Sequence, residues 1–504
     1  MRHFDTKSII RPLLCAVATG FWAYGLMGCA TSNGVAHEYR EALRDSDDLE
    51  SNGHTTLKGP RTSLVIMVDG LGTSTLRAGL RAGQLPEITR FFSAPHGNLR
   101  GSEFVLARGS FPTLTYPNLV SLVTGRAVDG HGILGNRLLG DEGEIIDFEN
   151  VLNWKKLEHK ISPMTAFSVL RNRGQASVSY SYPLFNGGTA NQRPSFEVAA
   201  GYASKDYDVV DIYTLESLGM FLESTPAHRW PRFIFVHLIN VDGVEHEKGA
   251  NTPQVLEALR ILDRRLAPIF HWVRKAENEG HHTDTVLTSD HGFVNVSYQI
   301  PIEKLVARLP SAKELKLVVD NRVASMYLPS GWSLRTRREA AREFSQISKI
   351  GWTALRQRLP ADGEGIGRIS IFYANGSEAR IDFKNAQCDY GPWAARYTYV
   401  NKVTTRGQSG FHCPEIYDEL SDTDSYTFVV SSLLEYFRAE KSPDLVLVPD
   451  DDADFSGAYR GNHGGLTSEE VLVPMLARHA RLGRKVFPVH RLLHKLEIFS
   501  EEKQ

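Results

Sequence analysis

This chain lacks an excess of either charge: 57 basic residues stand against 59 acidic ones in 504, for a net charge of −2. So even a balance leaves no electrostatic footprint for nucleic acid or for an anionic membrane surface. Cysteine is scarce, with four in the whole sequence. A long apolar run is missing too. The best candidate, "LLCAVATGFWAYGLMG" ending at Gly28, is too short and too broken by glycine for a membrane span. Internal repeats are absent. The acidic run "PDDDADF" at 449–455 does not have the spacing of an EF-hand loop and reads as a solvated loop. What remains is an ordinary globular composition, 42% hydrophobic, with ample material for a large core.

The N-terminus stands apart from that core. Arg2, Lys7 and Arg11 precede the apolar run, a secretory signal pattern. It runs into "LMGC", which resembles a bacterial lipoprotein cleavage box. The resemblance implies removal of 1–28 and lipidation of Cys29; an ordinary signal peptide or an uncleaved anchor is the alternative. Ala30 stands where an Asp would favour retention at the inner membrane, so the expected location is the bacterial cell envelope, at the outer membrane, held by the lipid anchor alone. Residues 29–60 are polar and read as a tether with one short helix at Tyr39–Arg44. Cys15 leaves with the signal. Cys388 and Cys413 then remain as an even pair in an oxidising compartment. A disulfide there would close a loop of about 25 residues and contribute about 3 kcal/mol; two free buried thiols are the alternative.

From "RTSLVIMVDG" onward, strand-like and helix-like runs alternate. This argues an α/β fold with a mostly parallel central sheet and helices on both faces. The expected catalytic core occupies 61–329 and 441–497. Residues 330–440 read differently. They hold alternating runs around Asn375-Gly376, a hairpin signal, and are expected to form an inserted α+β subdomain.

Three apolar runs end in aspartate. "LVIMVDG" ends in Asp69, "FIFVHLINVDGVEH" carries Asp242 and His246, and "TVLTSDHGF" carries Asp290 and His291. In open α/β sheets ligands collect beyond the carboxyl ends of the strands. Three acids gathered there repel one another unless a cation lies between them. Carboxylate oxygen with neutral imidazole nitrogen suits zinc or a similar divalent ion. Each Asp-Gly taken singly also reads as a turn or a helix cap. His237 lies inside a strand pattern and reads as a core or supporting residue.

"GSFPTLTYPNLVSLVTGRAVDGHGILGN", 109–136, places Pro117–Val123 in a helix and Thr115 just before its N-terminus. Backbone N–H groups at such an end favour a phosphoryl oxygen. A divalent cation makes the threonine alkoxide accessible. Thr113 or Thr115 as a plain helix cap is the alternative.

This segment resembles the nucleophile segment of the nucleotide pyrophosphatase/phosphodiesterase family in the alkaline phosphatase superfamily. "LVIMVDGLG", "NVDGVEH", "TSDHGF" and "GNHGG" match the remaining superfamily motifs in order. By that resemblance Asp69, Thr115, Asp290 and His291 surround one zinc, while Asp242, His246 and His463 hold the other. Asn136, with the backbone N–H after Thr115, binds phosphate oxygens. The implied activity is phosphoric ester hydrolysis of a small-molecule substrate by two-metal in-line displacement, with a phosphothreonine intermediate. Thr467 and Glu470 form a capping-box pattern after His463. Tyr180, Tyr182 or Phe185 offer aromatic stacking for a substrate, or are core aromatics. The same scaffold hosts phosphomonoesterases, phosphonate hydrolases and sulfatases. Thr115 argues against a sulfatase, which needs Cys or Ser there. A zinc monoesterase would want a Lys-x-Arg pair, and "SKDYD" offers Lys205 with Tyr207 in the Arg position. The non-enzyme alternative is an inactive surface binding lipoprotein; no ligand is missing to support it.

Overall fold

The computed structural model describes residues 34–50 and 61–499, except 95–96, 100–103, 162–163, 182–183, 185–186, 193–194, 309–313, 359–366, 385–386, 390–410, 413–428, 458 and 484–485. Cys29, Tyr182, Phe185 and Cys413 therefore lie outside the described residues.

The central sheet has eight strands. From one edge to the other they are Ala190–Asn191, Ser177–Tyr180, Phe233–Leu238, Arg61–Val68, His282–Thr288, Leu472–Arg478, Val105–Arg108 and Phe487–Pro488. The first five are mutually parallel. Leu472–Arg478 joins antiparallel to His282–Thr288. This is the mostly parallel α/β sheet expected from the alternation. Arg61–Val68, at its centre, buries alternate side chains in two different cores. Val65 and Met67 pack on one face with the Thr115–Thr124 helix. Leu64, Ile66 and Val68 pack on the other with the long helix Pro253–Asn278. A strand covered on both faces is apolar on both, which is why Leu64–Val68 reads as an unbroken run.

Strands outside the central sheet occupy much of the described part of 330–440. A second, antiparallel sheet runs in the order Lys316–Asp320, Val323–Tyr327, Leu445–Pro449, Ile350–Arg358, Gly367–Tyr373, Glu378–Lys384, Gln387–Asp389 and Phe411–His412. It thus begins before 330 and takes in Leu445–Pro449, expected to be a strand of the core. An apolar run of five residues does not specify which sheet it joins. The Asn375-Gly376 hairpin is present, with Gly376 at φ +78. Cys388 sits in the strand opposite Phe411. Helix Val429–Arg438 links the two layers: Tyr436 meets Phe111 edge-on at 5.1 Å, and Arg108 pairs with Glu435.

The tether reading is corrected for part of its length. Gly34–Glu50 is a helix laid on the core. Val35, Tyr39 and Leu43 form a buried stripe at i, i+4 and i+8, and the Tyr39 hydroxyl donates to the Arg229 carbonyl at 2.8 Å. Its charged outer face hid that stripe. Among the described residues no helix is long and apolar enough to cross a membrane.

Candidate metal centre

The carboxyl ends of the three central strands meet at one place. Asp69 directly follows Arg61–Val68. Asp242 and His246 sit one turn apart on the helix Asn240–Lys248, which follows Phe233–Leu238. Asp290 and His291 follow His282–Thr288. Because Leu472–Arg478 and Val105–Arg108 pair as they do, the loop holding His463 and the loop leading to Thr115 reach the same end of the sheet.

Two groups form there, Asp69 with Asp290 and His291, and Asp242 with His246 and His463. Within each group, the possible ligand atoms lie within 4.8 Å of one another. They coincide with the two sets implied by the resemblance. His291 Nε2 lies 3.4 Å from Asp69 Oδ1 and 3.3 Å from Asp290 Oδ2. His463 Nε2 lies 3.7 Å from Asp242 Oδ1 and 3.2 Å from His246 Nε2. The His291 and His463 rings stack at 3.7 Å, so the groups adjoin.

Supporting contacts fix which imidazole nitrogen faces inward. His463 Nδ1 donates to the Thr113 carbonyl at 2.8 Å, and His246 Nδ1 to the Gly461 carbonyl at 3.1 Å. Both Nε2 atoms are left with lone pairs that face each other, which is repulsive without a cation between them. Asp69 Oδ1, Asp242 Oδ1 and Asp290 Oδ2 are buried with no hydrogen-bond partner. Orphaned buried acceptors of this kind are costly, and a divalent ion at each group would satisfy them. Burial, followed by the neighbouring Asp290, pushes the Asp69 carboxyl well up. Burial pushes Asp242 up as well, and His246 down to about 3. Imidazoles held neutral are in the state that binds metal. The residues present therefore fit a pair of divalent cations.

Thr115 opens the helix Thr115–Thr124, half-buried, with Oγ1 3.4 Å from His291 Nε2. Neither Thr113 nor Thr115 caps this helix; the cap position is Leu114, with no side-chain bond. Thr113 instead ties two loops together: its Oγ1 donates to the Gly465 carbonyl and accepts from the Gly464 N–H. Asn118 holds the approach to the nucleophile by donating to the carbonyls of Ser110, Pro112 and Leu114.

One expectation changes. The N–H after Thr115 is already engaged, donating to Asn136 Oδ1 at 3.0 Å. Pro117 has no N–H, and that of Asn118 closes the first turn on the Leu114 carbonyl. The helix end thus offers an anion fewer donors than a bare N-terminus. Asn136 gains a fixed orientation in return, and its Nδ2 donates to Glu149 Oε1 at 3.2 Å.

Of the residues around the site, Asp211 and Asp320 gave no signal in the sequence. His237 does support the site, with Nε2 2.8 Å from Asp69 Oδ2. Asp211 accepts from the N–H groups of Ile239 and Asn240, anchoring the start of the Asp242 helix. Asp320 accepts from the Arg137 N–H beside Asn136. Tyr180 is fully buried, a core aromatic. The capping box of Thr467 and Glu470 is present. In the acidic run, Asp454 is buried and accepts from Asn462 and Ser456.

Burial, with a smaller contribution from Glu149, pushes the Asp320 carboxyl up to about 8. A carboxyl raised in the fold contributes stability that is full below its unfolded pKa and is lost as pH rises through the folded one. Between about pH 4 and about pH 8 the melting temperature of the native protein should therefore fall more steeply than that of Asp320→Asn. Parallel pH profiles for the two proteins would refute this.

A sequence model described as "Type I phosphodiesterase / nucleotide pyrophosphatase" matches residues 63–471. Ectonucleotide pyrophosphatase/phosphodiesterase family member 3 of Rattus norvegicus is 23% identical over 200 residues, covering 38% of this chain and 21% of the relative. Member 1 of Mus musculus is 22% identical over 275 residues, covering 53% and 28%. The chain thus spans about a quarter of the length of these curated relatives. Among solved structures, murine ectonucleotide pyrophosphatase/phosphodiesterase 5 superposes with TM-score 0.53 at 16% identity, over 88% of this chain and 97% of that one. Phosphonoacetate hydrolase from Sinorhizobium meliloti 1021, in complex with phosphonoformate, gives TM-score 0.52 at 15% identity, over 88% and 96%. With its alkaline phosphatase-like α/β fold, the chain belongs to the type I phosphodiesterase / nucleotide pyrophosphatase family.

Proposed function

We propose that this protein is a two-zinc phosphodiesterase of nucleotide pyrophosphatase type that attacks through Thr115 and passes through a phosphothreonine. The observation that carries this reading is the position of Thr115 Oγ1, 3.4 Å from His291 Nε2 at the junction of the two carboxylate and imidazole groups. When bound, the two ions supply Lewis-acid stabilisation of the threonine alkoxide and of the departing oxygen. The chain's own residues do the rest. Thr113, through the Gly464 and Gly465 bonds, fixes the loop before the nucleophile. Asn136, oriented by the Tyr116 N–H, offers its Nδ2 to a phosphoryl oxygen. Asp69, held by His237, keeps one oxygen turned toward Thr115. Bond formation from Oγ1 to phosphorus expels the alcohol or phosphate, and water then releases the phosphoryl group from Thr115. The murine relative solved as an inactive threonine-to-alanine variant in complex with AMP supports a threonine role and a nucleotide-sized ligand.

A neutral donor, Asn136, suits the lower charge of a diester, whereas a monoester calls for an added cation. The second reading, a phosphonate hydrolase or phosphomonoesterase, rests on Lys205. Its Nζ lies 5.9 Å from the centroid of Tyr459, and that ring lies 4.2 Å from His246. Comparing kcat/KM on bis-p-nitrophenyl phosphate, p-nitrophenyl phosphate, a nucleotide p-nitrophenyl ester and a phosphonate separates the two. The diester and nucleotide ester should be favoured; equal or greater efficiency on the monoester or phosphonate refutes the diesterase reading.

For location we propose an outer-membrane lipoprotein anchored through Cys29. Labelled fatty acid should be incorporated, and Cys29→Ser should abolish it. A native protein with no acyl chain by mass spectrometry would exclude the anchor. A Cys388–Cys413 disulfide belongs to the same proposal.

A further inference from the structure

The second sheet contributes a turn to the metal centre. Asp320 pairs with Val323, so Asn321 and Arg322 form a two-residue hairpin turn. Both neighbours of Asn321 are clamped. Asp320 Oδ2 accepts from the Arg137 N–H at 2.9 Å, next to Asn136. The Arg322 N–H donates to the His463 carbonyl at 3.2 Å, and its buried guanidinium pairs with Glu470 at 3.0 Å. Two glycines permit this approach. A Cβ on Gly135 would come within 2.8 Å of Asp320 Oδ2, and one on Gly464 within 3.1 Å of the Arg322 nitrogen. Asn321 itself sits at φ +53, a left-handed conformation that asparagine tolerates better than most residues. The turn therefore aims its side chain at the site.

Asn321 Nδ2 lies 3.5 Å from His463 Nε2. That distance is long for a hydrogen bond. His463 Nδ1 carries the proton donated to Thr113, so Nε2 presents its lone pair to Asp242 and His246. A lone pair given to a cation cannot also accept from Asn321. The amide N–H groups then need another acceptor at the same spot, and the backbone donor expected from Tyr116 is already spent on Asn136.

We propose that Asn321 is a further catalytic residue, whose side-chain amide donates to a non-bridging oxygen of the phosphoryl group opposite Asn136. The inference rests on the phosphoryl-transfer reading of the site. It makes the second sheet a part of the active site, supplying a neutral donor suited to a singly charged diester.

Asn321→Gly keeps the left-handed turn and removes the amide; Asn321→Asp puts a charge in its place. Metal content by elemental analysis, melting temperature, kcat/KM for bis-p-nitrophenyl phosphate and the calorimetric Kd for inorganic phosphate are measured on the metal-loaded proteins. For Asn321→Gly, metal content and melting temperature should match the parent. Its kcat/KM should fall about 100-fold and its phosphate Kd rise about 10-fold, with Asn321→Asp worse on both. A fall in metal content would make Asn321 a ligand and overturn the proposal, as would unchanged kcat/KM and phosphate affinity. If the parent cleaves no diester, the phosphodiesterase reading fails separately; weaker phosphate binding in Asn321→Gly would still support the contact.

Discussion

Thr115→Ala is expected to lower turnover on the order of 10⁴-fold while leaving metal content largely intact. The side chain is half-buried at the first position of its helix and makes no capping bond, so its removal costs the fold little. What it removes is the only hydroxyl that the described structure places against His291 Nε2, at 3.4 Å. Thr115→Ser keeps an oxygen near that position, without the methyl that restricts its rotamer, and should retain part of the activity. A quenched reaction of the native protein should yield a phosphopeptide spanning Thr115, absent from the alanine variant. If Thr115→Ala turns over at the parental rate, attack is by water and the covalent step is excluded.

Removing the metal should have an effect as large. Protein prepared without chelator should carry about two divalent ions per chain, and chelation should bring activity to background. The reason is electrostatic. Asp69 and Asp290 share one buried group with His291, and Asp242 is half-buried beside two imidazoles that burial holds neutral. With no cation, each buried acceptor left unpaired costs about 1 to 3 kcal/mol, more where it is charged. The ions should therefore also raise the melting temperature, in proportion to their occupancy. His463→Ala and Asp242→Ala should each lose metal and activity with the circular dichroism spectrum retained. Full activity in metal-free protein would end the two-metal reading.

The sequence was most legible where chemistry and chain direction coincide. Asp69, Asp290 and His291 directly follow apolar runs, so the end of the strand announces them. Asp242 and His246 share a helix turn, and His463 stands among glycines that clear space. Such local patterns survive without knowledge of the fold. The N-terminal helix was less legible, because its stripe of Val35, Tyr39 and Leu43 is narrow and its other faces are charged. Leu445–Pro449 was misplaced because a run buried on both faces looks alike in either sheet.

By itself, then, the sequence determined the α/β class and the hairpin at Asn375-Gly376, and its resemblance to the family pointed to the seven candidate ligands including Thr115. The tertiary structure alone decided how they are held. It turned Asn136 by spending the Tyr116 N–H on it, set His237 behind Asp69, and brought Asp320, Asn321 and Arg322 to the site from the second sheet. These contacts join residues far apart in the chain, and Asn321 meets His463 across 142 positions. Residue spacing encodes neighbours along a strand or a helix turn; it carries no information on which distant loop a turn will be packed against.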